Sequence, residues 1–179
     1  MADPGSTAFD LWTRARARFR ARDYAEAADL LAELVERSGE DSRIRPATLR
    51  LQYGVTLLRL RRTEEGVAEL RLAVELDPAN PRAHQKLGAG LARLGRQLEA
   101  LPHLERAAVM APDNAEYQWR VGEQYRRVGR LADARAAFER SLAIDPAFQR
   151  ASEGMQALAR SKRSWLQRLA RAWRGRWTA

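Results

Sequence analysis

Residues 81–148 read PRAHQKLGAGLARLGRQLEALPHLERAAVMAPDN followed by AEYQWRVGEQYRRVGRLADARAAFERSLAIDPAF, which are two copies of one 34-residue pattern. Glycine, apolar and proline residues recur at the same spacings in both copies. They stand at Gly88, Leu91, Gly95, Ala100, Leu104 and Pro112 in the first copy and at Gly122, Tyr125, Gly129, Ala134, Phe138 and Pro146 in the second. Such a fixed period is typical of stacked helical hairpins. The sequence therefore predicts a helical repeat array, which presents a surface rather than a catalytic centre.

The same period continues toward the N-terminus. A third copy lies 34 residues earlier, with Gly66 in the small-residue place of Ala100; its members are Gly54, Leu57, Gly66, Leu70, Ala73 and Pro78. A weaker copy lies 39 residues before that one, at Ala15, Tyr24, Ala27, Leu31 and Leu34. We therefore expect four repeats, with about five extra residues in the connection from Gly39 to Pro46.

Each copy predicts two antiparallel helices, A and B, joined by a tight turn. In the third repeat, Pro81 suits the first turn of helix A, which we expect over about residues 82–94. Gly88 has no side chain and allows close approach of helix B, and Gly95 suits a left-handed turn conformation after helix A. Helix B is expected over about residues 97–110, before Pro112.

These residues are similar to those of the tetratricopeptide repeat family, over about residues 8–146. The resemblance implies an all-α solenoid of antiparallel helix pairs that forms a right-handed superhelix. The implied divisions are a flexible N-terminus at 1–7, repeats at about 8–41, 47–80, 81–114 and 115–148, a cap helix at 147–160 and a tail at 161–179. It implies protein–protein interaction, scaffolding or complex assembly, with no chemistry.

The resemblance also implies that the A helices line a concave partner groove. The residues that we predict to contact a partner there are Trp12, Arg16, Arg82, Lys86, Arg93, Trp119, Arg120, Arg126 and Arg127. Trp and Arg are common interface anchors, and guanidinium groups bind carboxylates bidentately, so we expect a protein partner with acidic side chains or a terminal carboxylate. The asparagines of the family's carboxylate clamp are absent, with Gln52 and Gln85 the nearest amides. The alternative is that these arginines are solvated or paired with nearby acids.

The positive charge of the chain is concentrated at its C-terminal end. The net charge is +9, and residues 160–179 carry seven basic residues and no acidic ones. Placed on a helix, one face of the tail is apolar and the other basic. The apolar face holds Trp165, Leu166, Leu169, Trp173 and Trp177, and the basic face holds Arg168, Arg171 and Arg174. The tail is therefore predicted to be a short basic amphipathic helix.

Three roles for this tail stay open on the sequence. It can dock in an apolar groove of a second partner protein, lie on an anionic membrane surface, or pack on its own array. The alternative function for the whole chain is therefore a peripheral binder of anionic membranes or polyanions. Nucleic acid is less favoured, because the chain has no recognised nucleic-acid motif.

The residues that most enzymes need are scarce or absent. The chain has no cysteine and only two histidines, His84 and His103, and no zinc-protease or phosphate-loop motif. We therefore expect no catalysis, no metal and no cofactor. No apolar run of about 18 residues occurs, and residues 1–7 do not resemble a secretory signal, so we expect a cytoplasmic protein, with the inner membrane face as the tail's alternative site. The sequence leaves open whether the array self-associates.

Overall fold

The computed structural model describes residues 7–37, 39 and 41–160, and this part of the chain forms helices and turns without strands. The helices are α1 (Ala8–Arg20), α2 (Tyr24–Glu36), α3 (Pro46–Arg59), α4 (Thr63–Leu76), α5 (Pro81–Arg93), α6 (Gln97–Met110), α7 (Ala115–Arg127), α8 (Leu131–Ile144) and α9 (149–160). The all-α prediction is confirmed. The tail at 161–179 lies outside the described residues, as do residues 1–6 of the predicted flexible N-terminus.

The described residues divide into two compact units, one that ends at Met110 and one that begins at Ala111. In the first unit, α1 packs against α2, α3 against α4 and α5 against α6, and α2 and α4 contact the helices that follow them. In the second unit, α7 packs against α8. Odd-numbered helices α1 to α7 are the A helices of the four repeats and even-numbered helices α2 to α8 are their B helices.

Side-chain caps and prolines set where several of the A helices begin. Thr7 and Asp10 form a capping box on α1, in which the Asp10 amide donates to Thr7 Oγ1 at 3.2 Å and the Thr7 amide donates to Asp10 Oδ2 at 3.1 Å. Asn80 caps α5 immediately before Pro81, and Asn114 caps α7. Each cap satisfies backbone N–H groups that have no partner within the helix.

The repeated small and apolar residues form the core of both units. In the first unit, Leu70, Leu87 and Leu91 are at most 1% exposed and belong to one cluster with Ala100. In the second unit, Phe138 is fully buried and clusters with Ala134 and with Ala151 and Leu158 of α9. The period marks these positions because each repeat buries the same faces of its two helices.

Glycine allows the two helices of a repeat to cross closely. A Cβ added to Gly88 would lie 2.7 Å from Leu104 Cγ and 3.0 Å from the Ala100 carbonyl oxygen. At Gly54 it would lie 2.7 Å from Leu70 Cγ. These distances are below van der Waals contact, so the predicted role of Gly88 is confirmed.

In all four repeats, the residue at one place in the turn between the A and B helices has the left-handed conformation. Gly95 and Gly129 have φ values of 75° and 81°, which confirms the turn predicted at Gly95. The equivalent residues of repeats one and two are arginines, Arg22 and Arg61, each with a φ of 64°. An L-residue other than Asn or Asp is uncommon in this region, and the sequence pattern did not predict it at these two arginines.

Candidate partner-binding face

Charge is segregated between the two helix layers of the first unit. We call α1, α3 and α5 the A layer and α2, α4 and α6 the B layer. The A layer carries nine basic residues and one acidic residue, whereas the B layer carries ten acidic residues and two basic ones. In the second unit the charges are balanced, with three basic and two acidic residues on α7 and two of each on α8. The first unit therefore has one basic and one acidic helix layer.

Only part of the basic charge of the A layer is compensated. Arg18 pairs with Glu26 at 2.9 Å and Arg50 pairs with Glu69 at 2.8 Å, and both pairs connect the A layer to the B layer. Six exposed arginines of the A layer form no ion pair with the residues that the structure describes. They are Arg14, Arg16, Arg20, Arg59, Arg82 and Arg93.

Two of the predicted partner-binding residues contact each other on α1. Trp12 is half-buried against the core cluster of repeats one and two, and the Arg16 guanidinium carbon lies 5.8 Å from the centre of its ring. This arrangement is a cation–π contact on the surface of the A layer. The two residues therefore form a joint aromatic and cationic feature.

The other three predicted residues of the first unit lie on α5. Arg82 is exposed in its first turn, and Lys86 is half-buried one turn later. Arg93 ends the helix, and its Nη1 donates to the Leu58 carbonyl oxygen at 3.1 Å. Spacings of four and seven residues put these cations along one side of α5. The structure thus places the predicted residues of the first unit in two groups, one on α1 and one on α5.

In the second unit, most of the predicted residues have partners within the unit. Arg120 donates to Glu116 at 2.6 and 3.0 Å, and Arg126 donates to Glu123 at 2.9 and 3.1 Å. Hydrogen bonding to Glu123 raises the pKa of Arg126. Arg127 is exposed and forms no ion pair with a described residue. The arginines that pair locally have less capacity to bind a partner's carboxylate.

Trp119, the fourth predicted residue of the second unit, is partly a packing residue. It is half-buried beside the core cluster around Phe138 and its ring centre lies 6.1 Å from that of Phe148. The guanidinium carbons of Arg120 and Arg150 lie 5.3 and 5.2 Å from the Trp119 ring centre. These contacts hold the indole against the residues at the start of α9.

The extra residues between repeats one and two supply a cation that the sequence reasoning missed. The Arg43 guanidinium carbon lies 4.0 Å from the ring centre of Phe9, and its Nε donates to Asp41 Oδ1 at 2.9 Å. Hydrogen bonds from Arg43 lower the pKa of Asp41 to about 2. Since Arg43 is seven residues beyond α2 in an irregular connection, no helical spacing related it to Phe9.

The two histidines lie side by side in repeat three. Their Nδ1 atoms are 3.1 Å apart, and His84 Nε2 lies 3.1 Å from the Pro78 carbonyl oxygen. Burial lowers the pKa of His103, and the charge of His84 lowers it further. Within the described part of the chain, no group of three or more His, Asp or Glu side chains is placed to hold a metal ion. Nor is any described helix long and apolar enough to cross a membrane.

Repeat period, crossing glycines and left-handed turns together define a helical-hairpin repeat protein. Family models of the tetratricopeptide repeat match residues 13–81 and 115–148. The chain belongs to the tetratricopeptide repeat family. Proteins of this family are typically non-enzymatic scaffolds.

Solved structures of tetratricopeptide repeat proteins share the fold. A MamA structure matches with a TM-score of 0.78 at 20% identity, over 88% of this chain and 84% of MamA. MamA from Desulfovibrio magneticus RS-1 matches with a TM-score of 0.71 at 21% identity, over 90% and 98% of the two chains. YrrB, a TPR protein with an unusual peptide-binding site, matches with a TM-score of 0.75 at 22% identity, over 86% and 76%. These identities show a shared fold. No curated protein sequence matches this chain.

Proposed function

We propose that this protein is a non-enzymatic interaction scaffold, acting as an assembly factor or subunit of a larger complex, and that its A layer binds an acidic segment of a partner protein. The observation that carries the proposal is the segregation of charge in the first unit, with nine basic residues on the A layer and ten acidic residues on the B layer. Complementary potentials orient a charged partner and suppress the opposite orientation. An acidic segment is therefore attracted to one layer and repelled by the other.

Individual side chains of the A layer suit such a segment. Arg16 and Arg82 are exposed and form no ion pair with the described residues, so their guanidinium groups can take carboxylates bidentately. Trp12 supplies an aromatic surface beside Arg16, and partly buried Trp and Arg side chains are common binding hot spots. In the second unit, Arg127 is the most available of the four predicted residues, because Arg120 and Arg126 pair locally.

Membership of the tetratricopeptide repeat family supports the general class of function. YrrB, which has the same fold, carries a peptide-binding site, so helical arrays of this kind do bind peptides. The partner of the present protein is defined only by its chemistry, which is an extended chain with several carboxylates. Aromatic or aliphatic residues between those carboxylates would contact Trp12.

Fluorescence anisotropy with a defined probe tests this proposal. The probe is a fluorescein-labelled decapeptide that alternates glutamate with leucine, and its twin has lysine in place of each glutamate. We expect the full chain to bind the acidic peptide more tightly than the basic one, with affinity that falls as salt rises. The Arg82→Glu variant should weaken binding by about ten-fold, because it removes one guanidinium and adds a like charge.

Arg106→Glu is the matched control for this experiment. Arg106 lies exposed on α6 of the B layer and forms no ion pair with the described residues, so the net charge changes equally in the two variants. We expect binding by Arg106→Glu to stay near that of the unmodified chain. Equal losses in the two variants would mean that the peptide responds only to overall charge, and the A layer would not be the site.

The second part of the proposal concerns the tail at residues 161–179. Its tryptophans and arginines, as the sequence arranges them, suit docking on a second partner protein or on an anionic membrane surface. Sedimentation with vesicles of phosphatidylglycerol and phosphatidylcholine tests the membrane role, with a chain ending at Arg160 as the control. Retention by anionic vesicles only when the tail is present, and release at high salt, would support the peripheral membrane alternative. No sedimentation at low salt would exclude it and leave docking on a partner protein or packing of the tail on its own array.

A further inference from the structure

A cleft with a basic lining opens at the A–B turn of repeat two. Its volume is about 620 Å³, and it lies entirely within the first unit. The lining residues are Leu58, Arg59, Arg61, Thr63 and Arg93. Ligand pockets commonly have volumes of about 300–1,000 Å³. Three of the five lining residues are therefore cations in a cleft large enough to admit a ligand.

The three arginines of this cleft keep most of their hydrogen-bonding capacity. The side chains of Arg59 and Arg61 make no hydrogen bond or ion pair with the residues that the structure describes. Arg93 donates from Nη1 to the Leu58 carbonyl oxygen at 3.1 Å, which holds its guanidinium at the end of α3. A guanidinium carries five N–H donors, so most donors of the three residues remain available to a ligand.

Acidic residues next to the cleft do not neutralise it. Glu65 accepts from Arg62 Nε at 2.8 Å and from Arg62 Nη2 at 2.6 Å, so its carboxylate is committed to a residue outside the cleft lining. Glu64 is exposed and forms no ion pair with a described residue. The positive charge of the three cleft arginines is therefore left for an anion.

Arg61 occupies a conformation that favours glycine. Its φ is 64°, and the equivalent turns of repeats three and four have Gly95 and Gly129. A left-handed arginine is less favourable than a left-handed glycine, and strained residues of this kind concentrate at functional sites. The strain alone shows no ligand, since Arg22 has the same φ outside this cleft. Together with the cleft and the uncompensated charge, it points to a ligand-binding role for Arg61 that glycine cannot supply.

We propose that this cleft binds a phosphate monoester dianion, with Arg59, Arg61 and Arg93 as the guanidinium donors. The Thr63 hydroxyl donates to the Arg61 carbonyl oxygen at 3.4 Å and is not counted among them. A carboxylate has two oxygens and one negative charge, whereas a phosphate monoester has three free oxygens and a charge of about −1.5 to −2 at neutral pH. Three guanidinium groups match the phosphate better.

The site shares Arg93 with the predicted partner-binding residues, but the phosphate proposal does not depend on that function. Arg59 and Arg93 end helices of the A layer, whereas Arg61 lies in the turn and Thr63 begins α4. The cleft is larger than a phosphate group, so it also has room for the side chain that carries one. The phosphate can therefore belong to a phosphorylated side chain of a partner or to a free phosphate, and the experiment distinguishes the two sources.

Anisotropy titration of the full chain tests the site. The probe is a fluorescein-labelled heptapeptide with a central phosphoserine between apolar residues, and its twin carries unmodified serine. We expect the phosphopeptide to bind at least about ten-fold more tightly than the twin, because hydrogen bonds to charged groups are strong. Inorganic phosphate is then added as a competitor. Displacement near the dissociation constant of the phosphopeptide would identify free phosphate as sufficient, and displacement only at much higher concentration would identify a phosphorylated chain.

Two glycine variants separate the site from general electrostatics. Arg61→Gly removes one guanidinium and suits the left-handed turn, so the fold should be retained, and we expect it to weaken phosphopeptide binding about ten-fold or more. Arg22→Gly makes the same change at the equivalent turn of repeat one, and we expect binding to be unchanged. Equal losses in both variants, or equal binding of the phosphopeptide and its twin, would overturn the proposal. The glutamate–leucine decapeptide should bind Arg61→Gly normally, which keeps this test independent of the proposed partner-binding face.

Discussion

The helix crossing and the A–B turn are the two places where the period puts glycine, and the four repeats treat them differently. At the crossing, repeats two, three and four have Gly54, Gly88 and Gly122, and repeat one has Ala15. At the turn, two repeats have glycine and two have arginine, with φ values of 64–81° throughout. The crossing accepts only a methyl group in exchange for glycine, whereas the turn accepts a long side chain.

The difference follows from what each glycine does. A Cβ at Gly88 or Gly122 would lie within 2.7 Å of a core side chain, so the requirement at the crossing is steric. A Cβ at Gly95 or Gly129 would meet no atom within 4 Å, so the requirement at the turn is conformational. An unfavourable backbone conformation costs about 1–2 kcal/mol, and a rigid clash in a close-packed core costs more. The turn can therefore carry a functional side chain, and the crossing cannot.

The largest effect is expected from Gly122→Ala. The added Cβ would lie 2.6 Å from Phe138 Cδ1, and a Cβ added at Gly154 would lie 2.6 Å from Cζ of the same ring, so Phe138 is flanked by two glycines that leave no room for a side chain. We expect a loss of about 2–3 kcal/mol in the free energy of unfolding, despite the better helix propensity of alanine. Urea unfolding followed by circular dichroism measures it.

Phe138→Leu provides the control for this clash. Repeats two and three have Leu70 and Leu104 at this place, and leucine can adjust its rotamer where a phenyl ring cannot. The double variant Gly122→Ala with Phe138→Leu should lose less stability than the sum of the two single variants, by about 1 kcal/mol or more. Strict additivity would show that the ring is not the obstacle.

A smaller loss in the free energy of unfolding is expected when a turn glycine is replaced by arginine, the residue that repeats one and two have at this place. Gly129→Arg places an L-residue at a φ of 81°, where nothing obstructs the side chain. We expect a loss of about 1–2 kcal/mol from the left-handed backbone alone. Gly129→Ala should lose nearly the same amount, because the cost depends on having a Cβ and not on side-chain length. A much larger loss for arginine than for alanine would instead indicate a steric requirement.

The reverse change should stabilise the protein slightly. Arg22→Gly relieves the left-handed arginine but increases the entropy of the unfolded chain, so we expect a net gain of about 0.5–1 kcal/mol. Arg22→Ala keeps the backbone conformation unfavourable and should leave stability within about 0.5 kcal/mol. The difference between these two variants in urea unfolding measures the strain directly. A loss of stability in Arg22→Gly would mean that the arginine side chain compensates its own strain.

Sequence reasoning predicted the parts of the fold that depend on local pattern. The helix pairs, the crossing at Gly88 and the turn at Gly95 all follow from residue type and spacing. It missed the left-handed conformation of Arg22 and Arg61, because neither residue type signals it. Aligning the four repeats could have shown it, since both arginines stand at the place of a turn glycine. The partner-binding residues on α7 were chosen by groove position. The helical spacings of Glu116 to Arg120 and of Glu123 to Arg126 already favoured the alternative of local pairing, which the structure has.

The smallest expected effect is a pH dependence of stability that arises near the helix crossing of repeat three. No such dependence is expected from the turns. His84 and His103 lie one turn from Gly88 and Ala100 and contact each other through Nδ1. If His84 Nε2 donates to the Pro78 carbonyl oxygen, neutral His84 accepts at Nδ1 the proton that His103 donates. Charging both rings would break this contact. Burial, His84 and Arg71 lower the pKa of His103 and Glu99 raises it, with burial the largest cause.

Because the pKa of His103 is lower in the folded than in the unfolded protein, the unfolded chain binds more protons below about pH 6.5. The stability that neutral His103 contributes is therefore fully present above that pH, and it is lost as the pH falls through the pKa of His103 in the folded protein. Glu99 stays ionised in this range, since hydrogen bonds from Arg96 lower its pKa. We expect the urea midpoint to fall between about pH 7.5 and pH 5, and to fall less in His103→Gln. The Gly129→Arg variant should keep the full pH dependence, because its turn has no titrating contact. If the urea midpoint of His103→Gln fell with pH as steeply as that of the unmodified chain, the pH dependence would arise from other groups.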